Sequence, residues 1–99
     1  MRLLFSPLAE TDLEDIADHI AADHATHALR FVRELREQCR RIADHPLAWR
    51  LRPELGERIR ACPYRRYVIF FEYHGHSIII VRILHGTRDM ATIWHDDEG

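Results

Sequence analysis

Arginine and histidine are the residues of this chain best suited to chemistry. All fourteen basic side chains are arginine; there is no lysine. Guanidinium offers planar, bidentate contacts to carboxylate or phosphate. Eight histidines supply titrating groups or possible metal ligands. Their spacing points away from a metal. His24 and His27 stand at i,i+3, His74 and His76 flank a turn, and nothing matches HExxH or a Cys/His framework. No metal and no cofactor are expected. Cys39 and Cys62 lack ligand spacing and read as two small buried thiols of a reducing compartment. Arg82 interrupts an apolar run, and Arg88 follows it. Each could bind a target or pair internally, Arg82 with Glu72 across a sheet and Arg88 with Asp89. Trp49 and Trp94 lie in irregular or terminal segments, where large apolar side chains often meet partners. Tyr67, Phe70, Phe71 and Tyr73 could stack bases, but packing under a helix layer is the stronger reading.

The elements that must position these groups follow from periodicity. Tyr67–Asp89 reads as two long strands rich in β-branched and aromatic residues, broken at His74-Gly75-His76. A three-residue loop pairs Tyr73 with Ser77, Phe71 with Ile79 and Tyr67 with Ile83. One face then carries Tyr67, Ile69, Phe71, Tyr73, Ile79, Val81 and Ile83. The other carries Arg66, Val68, Phe70, Glu72, Ile78, Ile80, Arg82 and Leu84. Both faces are largely apolar, which places the hairpin at a sheet centre. Upstream, residues 2–5 suggest a first strand. Ser6-Pro7 marks a helix start, with Leu13, Ile16, Ala17 and Ile20 at helical spacing. The acids Glu10, Asp12, Glu14 and Asp15 read as a solvated face near the positive end of the helix dipole. A second helix is expected over 27–44, stopped by His45-Pro46. Its short connection to the first predicts an antiparallel helix hairpin. Residues 58–61 suggest a short strand, and 90–94 a few more strand residues.

Length allows one domain with one modest core, placed at residues 1–95, with 96–99 as a frayed acidic tail. Nearly half the residues are apolar, which argues against disorder. No apolar run is long enough to span a membrane, and no signal peptide is recognised. The net charge of −2 is uneven. Residues 1–24 carry −5, residues 25–66 carry +6 and residues 67–99 carry −3. That balance argues against a general nucleic-acid binder but leaves room for a local basic patch. The fold class expected is α+β, ordered β-α-α-β-β-β, with an antiparallel sheet packed against an antiparallel helix hairpin.

This order resembles the ParE/RelE toxin superfamily of type II toxin–antitoxin systems, closest to the ParE branch. The carriers are Ser6-Pro7 with Asp12-Leu13 and Ile16, then Ala28, Phe31 and Leu35, then Pro46 and Arg52-Pro53-Glu54-Leu55-Gly56. Stronger are Tyr67-Val68-Ile69-Phe70-Phe71 and Val81-Arg82-Ile83-Leu84-His85-Gly86-Thr87-Arg88-Asp89. The resemblance implies a toxin that inhibits DNA gyrase by binding and arrests growth. It also implies a small ParD-like antitoxin with an amphipathic C-terminal tail, a hetero-oligomer with it, and a cytoplasmic location. The RelE branch instead cleaves messenger RNA at the ribosome with sheet lysines and arginines and a terminal tyrosine or histidine. Here lysine is absent, Arg65 and Arg66 precede the strand, and Trp94 stands where the tyrosine is expected. Arg88 fits the retained arginine, and His95 is the titrating substitute. An endoribonuclease would rest on Arg88 and His95; a third alternative is an inactive binding relative. The target-binding candidates are Arg82, Arg88, Trp94 and Trp49.

Overall fold

The first strand, β1 (Arg2–Phe5), runs straight into a capped helix. In this computed structural model, which describes residues 1–87, Ser6 has extended backbone at φ −67° and ψ 159° and accepts from the Ala9 N–H at 3.0 Å. Pro7 follows at the first helical position, where a missing N–H costs nothing. Helix α1 (Pro7–Ala21) and helix α2 (Ala25–Asp44) are joined by three residues and pack side by side as a hairpin. The second helix begins two residues earlier than periodicity predicts and stops at His45, before Pro46, which opens one 3₁₀ turn through Ala48. The Ser6 hydroxyl also donates to the Val81 carbonyl at 2.9 Å, tying the cap to the sheet. Ser6→Ala should therefore lower stability by about 1–2 kcal/mol, read as a shifted urea midpoint at constant m-value.

Four strands follow the helices: β2 (Arg50–Leu51), β3 (Ile59–Tyr64), β4 (Tyr67–Tyr73) and β5 (Ser77–His85). The sheet order is β1-β5-β4-β3-β2. The α+β class and the helix hairpin over a β3-β4-β5 meander are as expected. Three details differ. A two-residue strand, β2, pairs with Ala61 and Arg60 ahead of the meander. Strand β3 runs on through Pro63, beyond the 58–61 expectation; β2 ends opposite Arg60 and Ala61, so Pro63 has an edge position that needs no N–H on its open side. Strand β1 pairs parallel to β5, Arg2 with Ser77 through Phe5 with Ile80, so the sheet is mixed. A parallel pair needs a crossover, and the helix hairpin with the meander supplies it.

The hairpin register also differs from expectation. Tyr73 pairs with Ile78 and Phe71 with Ile80, not with Ser77 and Ile79. The chain turns at Gly75 (φ 79°) and His76, and the His74 N–H donates to the Ser77 carbonyl at 2.9 Å. A one-residue slip exchanges faces. Ile78 and Ile80, both fully buried, thus face the helices in place of Ile79 and Val81. A β-bulge then restores parity. Phe70 pairs with Arg82 and Phe71 with Ile80, leaving Val81 as the extra residue. Beyond it Ile83 faces the helices and Leu84 the other side, as expected.

The main core lies between layers. Leu13 and Ile16 of α1 and Phe31, Leu35, Cys39 and Ile42 of α2 pack on Ile69, Phe71, Ile78, Ile80 and Ile83. Each large side chain fully buried there contributes about 1.5–3 kcal/mol. Both cysteines are free and buried in this layer. Burial, with Cys62 nearby, pushes the Cys39 thiol up to about 12. A smaller cluster on the opposite face joins Leu55, Ile59, Ala61, Phe70 and Leu84. Among the described residues no helix is long and apolar enough to cross a membrane. The expected strand residues 90–94, the tail 96–99, and the candidates Arg88, Trp94 and His95 lie outside the described residues.

Candidate functional site

The bulge in β5 aims Arg82 at α1. Its Nε and one terminal nitrogen donate to the two Asp12 carboxylate oxygens, both at 2.9 Å. The same carboxylate accepts from the Ile83 N–H at 2.9 Å. The side chains are only 12% and 9% exposed, so this is a fork-to-fork pair in the molecular interior. It locks α1 to the bulge. The expected Arg82–Glu72 pair does not form: Glu72 takes His74 at 2.8 Å, and the Asp12 carboxylate stands under the bulge instead. Asp12 is correspondingly no member of a solvated acidic face; it is 7% exposed. The sequence held a signal for this. Asp12 lies three residues after Ala9 and four before Ile16, on the stripe that α1 buries.

Trp49 sits where the 3₁₀ turn meets β2, partly buried against the main core. The Arg60 guanidinium donates to its carbonyl at 2.8 Å. Its indole N–H is buried and finds no acceptor among the described residues. The structure therefore separates the candidates that it describes: Arg82 is held at α1, and Trp49 lies near β2, at the far edge of the sheet from β1.

Among the described residues, two surfaces suit a protein partner. The first is the helix hairpin, which is split by charge. On α1, Glu14, Asp15 and Asp18 are exposed; on α2, Arg30, Arg33, Arg40 and Arg41 are exposed, with Leu29 at 67% exposure among them. Arg36 reaches Glu10 at 3.1 Å and bridges the two helices. The second surface is the pair of sheet edges. Strand β1 shows Arg2 and Leu4 to solvent, and β2 shows Arg50 and Leu51. A sheet edge leaves backbone N–H and C=O groups that can take another strand. Among the described residues no group of His, Cys, Asp or Glu side chains gathers as metal ligands. What the arrangement can do is bind: it offers edges for a strand and a charged, partly apolar helix face for a helix.

The model of a family described as "ParE toxin of type II toxin-antitoxin system, parDE" matches residues 3–90. The chain belongs to the ParE toxin family. A solved structure described as "Chromosomal ParDE TA system from P. aeruginosa" is similar to this ParE-family chain, with a TM-score of 0.74 and 25% sequence identity. The likeness covers 86% of this chain and 95% of that one. No curated protein matches by sequence. The matched segment takes in β1 from Leu3, the helix hairpin, the Asp12–Arg82 clamp and all of the meander, so the type II toxin class attaches to nearly all of the described fold.

Proposed function

We propose that this chain is the toxin of a chromosomal ParDE-like module and inhibits DNA gyrase by binding, in the cytoplasm, as a single domain over residues 1–95. Stalled replication would arrest growth. A ParD-like antitoxin neutralises it in a hetero-oligomer, through an amphipathic C-terminal tail that adds a strand to a sheet edge, lays a helix on the hairpin, or does both. The observation that carries the reading is the family match over residues 3–90. The solved relative is itself described as part of a ParDE toxin–antitoxin system. Support for binding over cleavage comes from Arg82, the arginine of the central strands, whose guanidinium is turned to Asp12. We assign target contacts to Arg88, Trp94 and Trp49, while Arg82 ties the bulge to α1.

A purified supercoiling assay with gyrase, run beside a translation assay with mapped RNA ends, tests this. Supercoiling should be inhibited and transcripts left whole. His95→Ala should leave inhibition nearly unchanged, because no proton transfer depends on the imidazole. Arg88→Ala and Trp94→Ala should each weaken inhibition by about 1–3 kcal/mol, as interface positions do. The RelE-type alternative predicts transcripts cut at ribosomes and a loss of about 10²–10⁴-fold when Arg88 or His95 is removed. Cut transcripts with gyrase untouched would overturn the gyrase reading. A chain that expresses freely, leaves growth unaffected and binds no antitoxin would overturn the toxin reading altogether.

A further inference from the structure

At one pole, the helix hairpin turn, the β3–β4 tip and the end of β5 enclose a cleft of about 400 Å³. Its walls hold His19, His27, Arg65, Arg66 and His85, with Tyr67 among them; among the described residues the nearest acids are Asp15, in the adjoining cleft that shares His19, Tyr67 and His85, and Glu34 beside Arg65. Such a concentration of donors around an aromatic ring is not needed for packing. The rings beneath already pack: Tyr67 lies 5.6 Å from Phe31 and edge-on to His85 at 5.3 Å. Tyr67 is nonetheless only half-buried, so part of its ring is open to the cleft.

Several features hold the donors ready. Tyr64 pairs with Tyr67, so Arg65 and Arg66 alone form the β3–β4 turn. Arg65 takes a left-handed φ of 55°, a conformation that a non-glycine residue keeps where its surroundings impose it. The Arg66 carbonyl accepts from the Gly86 N–H at 2.8 Å, pinning the tip to the end of β5. The Arg66 side chain is exposed and makes no ion pair or side-chain hydrogen bond among the described residues. Arg65 has a carboxylate, Glu34, only at 3.8 Å. His85 Nδ1 lies 2.7 Å from the Thr87 hydroxyl, and its Nε2 has no hydrogen-bond partner among the described residues. His27 comes from the first turn of α2, which carries no acid and whose N-cap residue, His24, makes no side-chain capping bond.

We propose that this pole cleft is a nucleotide site. It takes a phosphate monoester carried on a base, with the phosphate on Arg66 and the imidazoles and the base against the Tyr67 ring. Guanidinium and imidazole donors suit an oxygen-rich anion, and an aromatic face suits any base. A free carboxylate would use the donors but leave the ring idle. The source is a free mononucleotide or the 5′-phosphorylated end of a strand, since both present the same chemistry. The proposal is independent of the gyrase reading, and its test contains no gyrase.

The test titrates the full chain with AMP, adenosine and inorganic phosphate while following the histidine ring signals by NMR. AMP should shift His19, His27 and His85 and leave His74 and His76, at the far hairpin turn, in place. Adenosine should do little, and phosphate should act at the same rings with lower affinity. Arg66→Ala should weaken AMP at least about tenfold, the loss expected for one hydrogen bond between charged groups, and Arg66→Lys should recover part of it. His27→Ala provides an independent second variant at an exposed position. A 5′-phosphorylated tetranucleotide distinguishes the sources: binding at the same rings assigns a strand end, and binding of AMP alone assigns a free nucleotide. Equal binding of adenosine and AMP, shifts at His74 and His76 instead, or no shift at millimolar AMP would overturn the site.

Discussion

Asp12→Ala should destabilise the fold by about 3–5 kcal/mol, the range for breaking a buried ion pair from one side. The carboxylate serves three donors at once: two N–H groups of Arg82 and the backbone N–H of Ile83, all at 2.9 Å. Its removal orphans the Ile83 N–H in the interior and strips the bulge of its anchor on α1. Asp12→Asn retains an acceptor oxygen for Ile83 and loses the charge, so it should fall between alanine and wild type. Urea denaturation of the three proteins measures this order. An alanine variant within about 1 kcal/mol of wild type would place the pair in the class of surface salt bridges and remove the clamp from the account.

Phe71→Ala should cost a similar amount, about 3–5 kcal/mol, by leaving a cavity in the main core between sheet and helices. Phe71 is fully buried, and its neighbours Leu35, Ile69 and Ile80 are as well. Domains of this size are stable by about 5–15 kcal/mol, so such a loss consumes much of the margin. The expected result is a variant that aggregates or is degraded when expressed alone. The proposed antitoxin should rescue it, because a partner that binds only the folded state adds about 2.7 kcal/mol at a hundredfold excess over Kd. Soluble yield with and without the co-expressed antitoxin reads both effects. Leu29→Ala, at a side chain 67% exposed, is the control and should change stability by less than about 0.5 kcal/mol.

Much of this architecture was legible in the order of residues. Helix starts at Ser6-Pro7 and stops at His45-Pro46 are local steric events, and they fall where the residues put them. The face that α2 buries follows from Phe31, Leu35, Cys39 and Ile42 at helical spacing. The strands β4 and β5, and the family to which the chain belongs, were legible for the same reason: composition and ordered motifs are carried by neighbouring residues. Tertiary structure decided what depends on distant partners. The face of Ile78 and Ile80 was set by a tight turn at Gly75 and a bulge at Val81, and strand composition cannot count either when both faces are apolar. Asp12 and Arg82 stand seventy residues apart, so only the packed sheet could turn an apparently solvated acid into a buried anchor. The parallel pairing of β1 with β5 and the gathering of His19, His27, Arg66 and His85 at one pole have the same origin. Local rules determine which elements form; the closure of the sheet under the helix hairpin determines which charges meet.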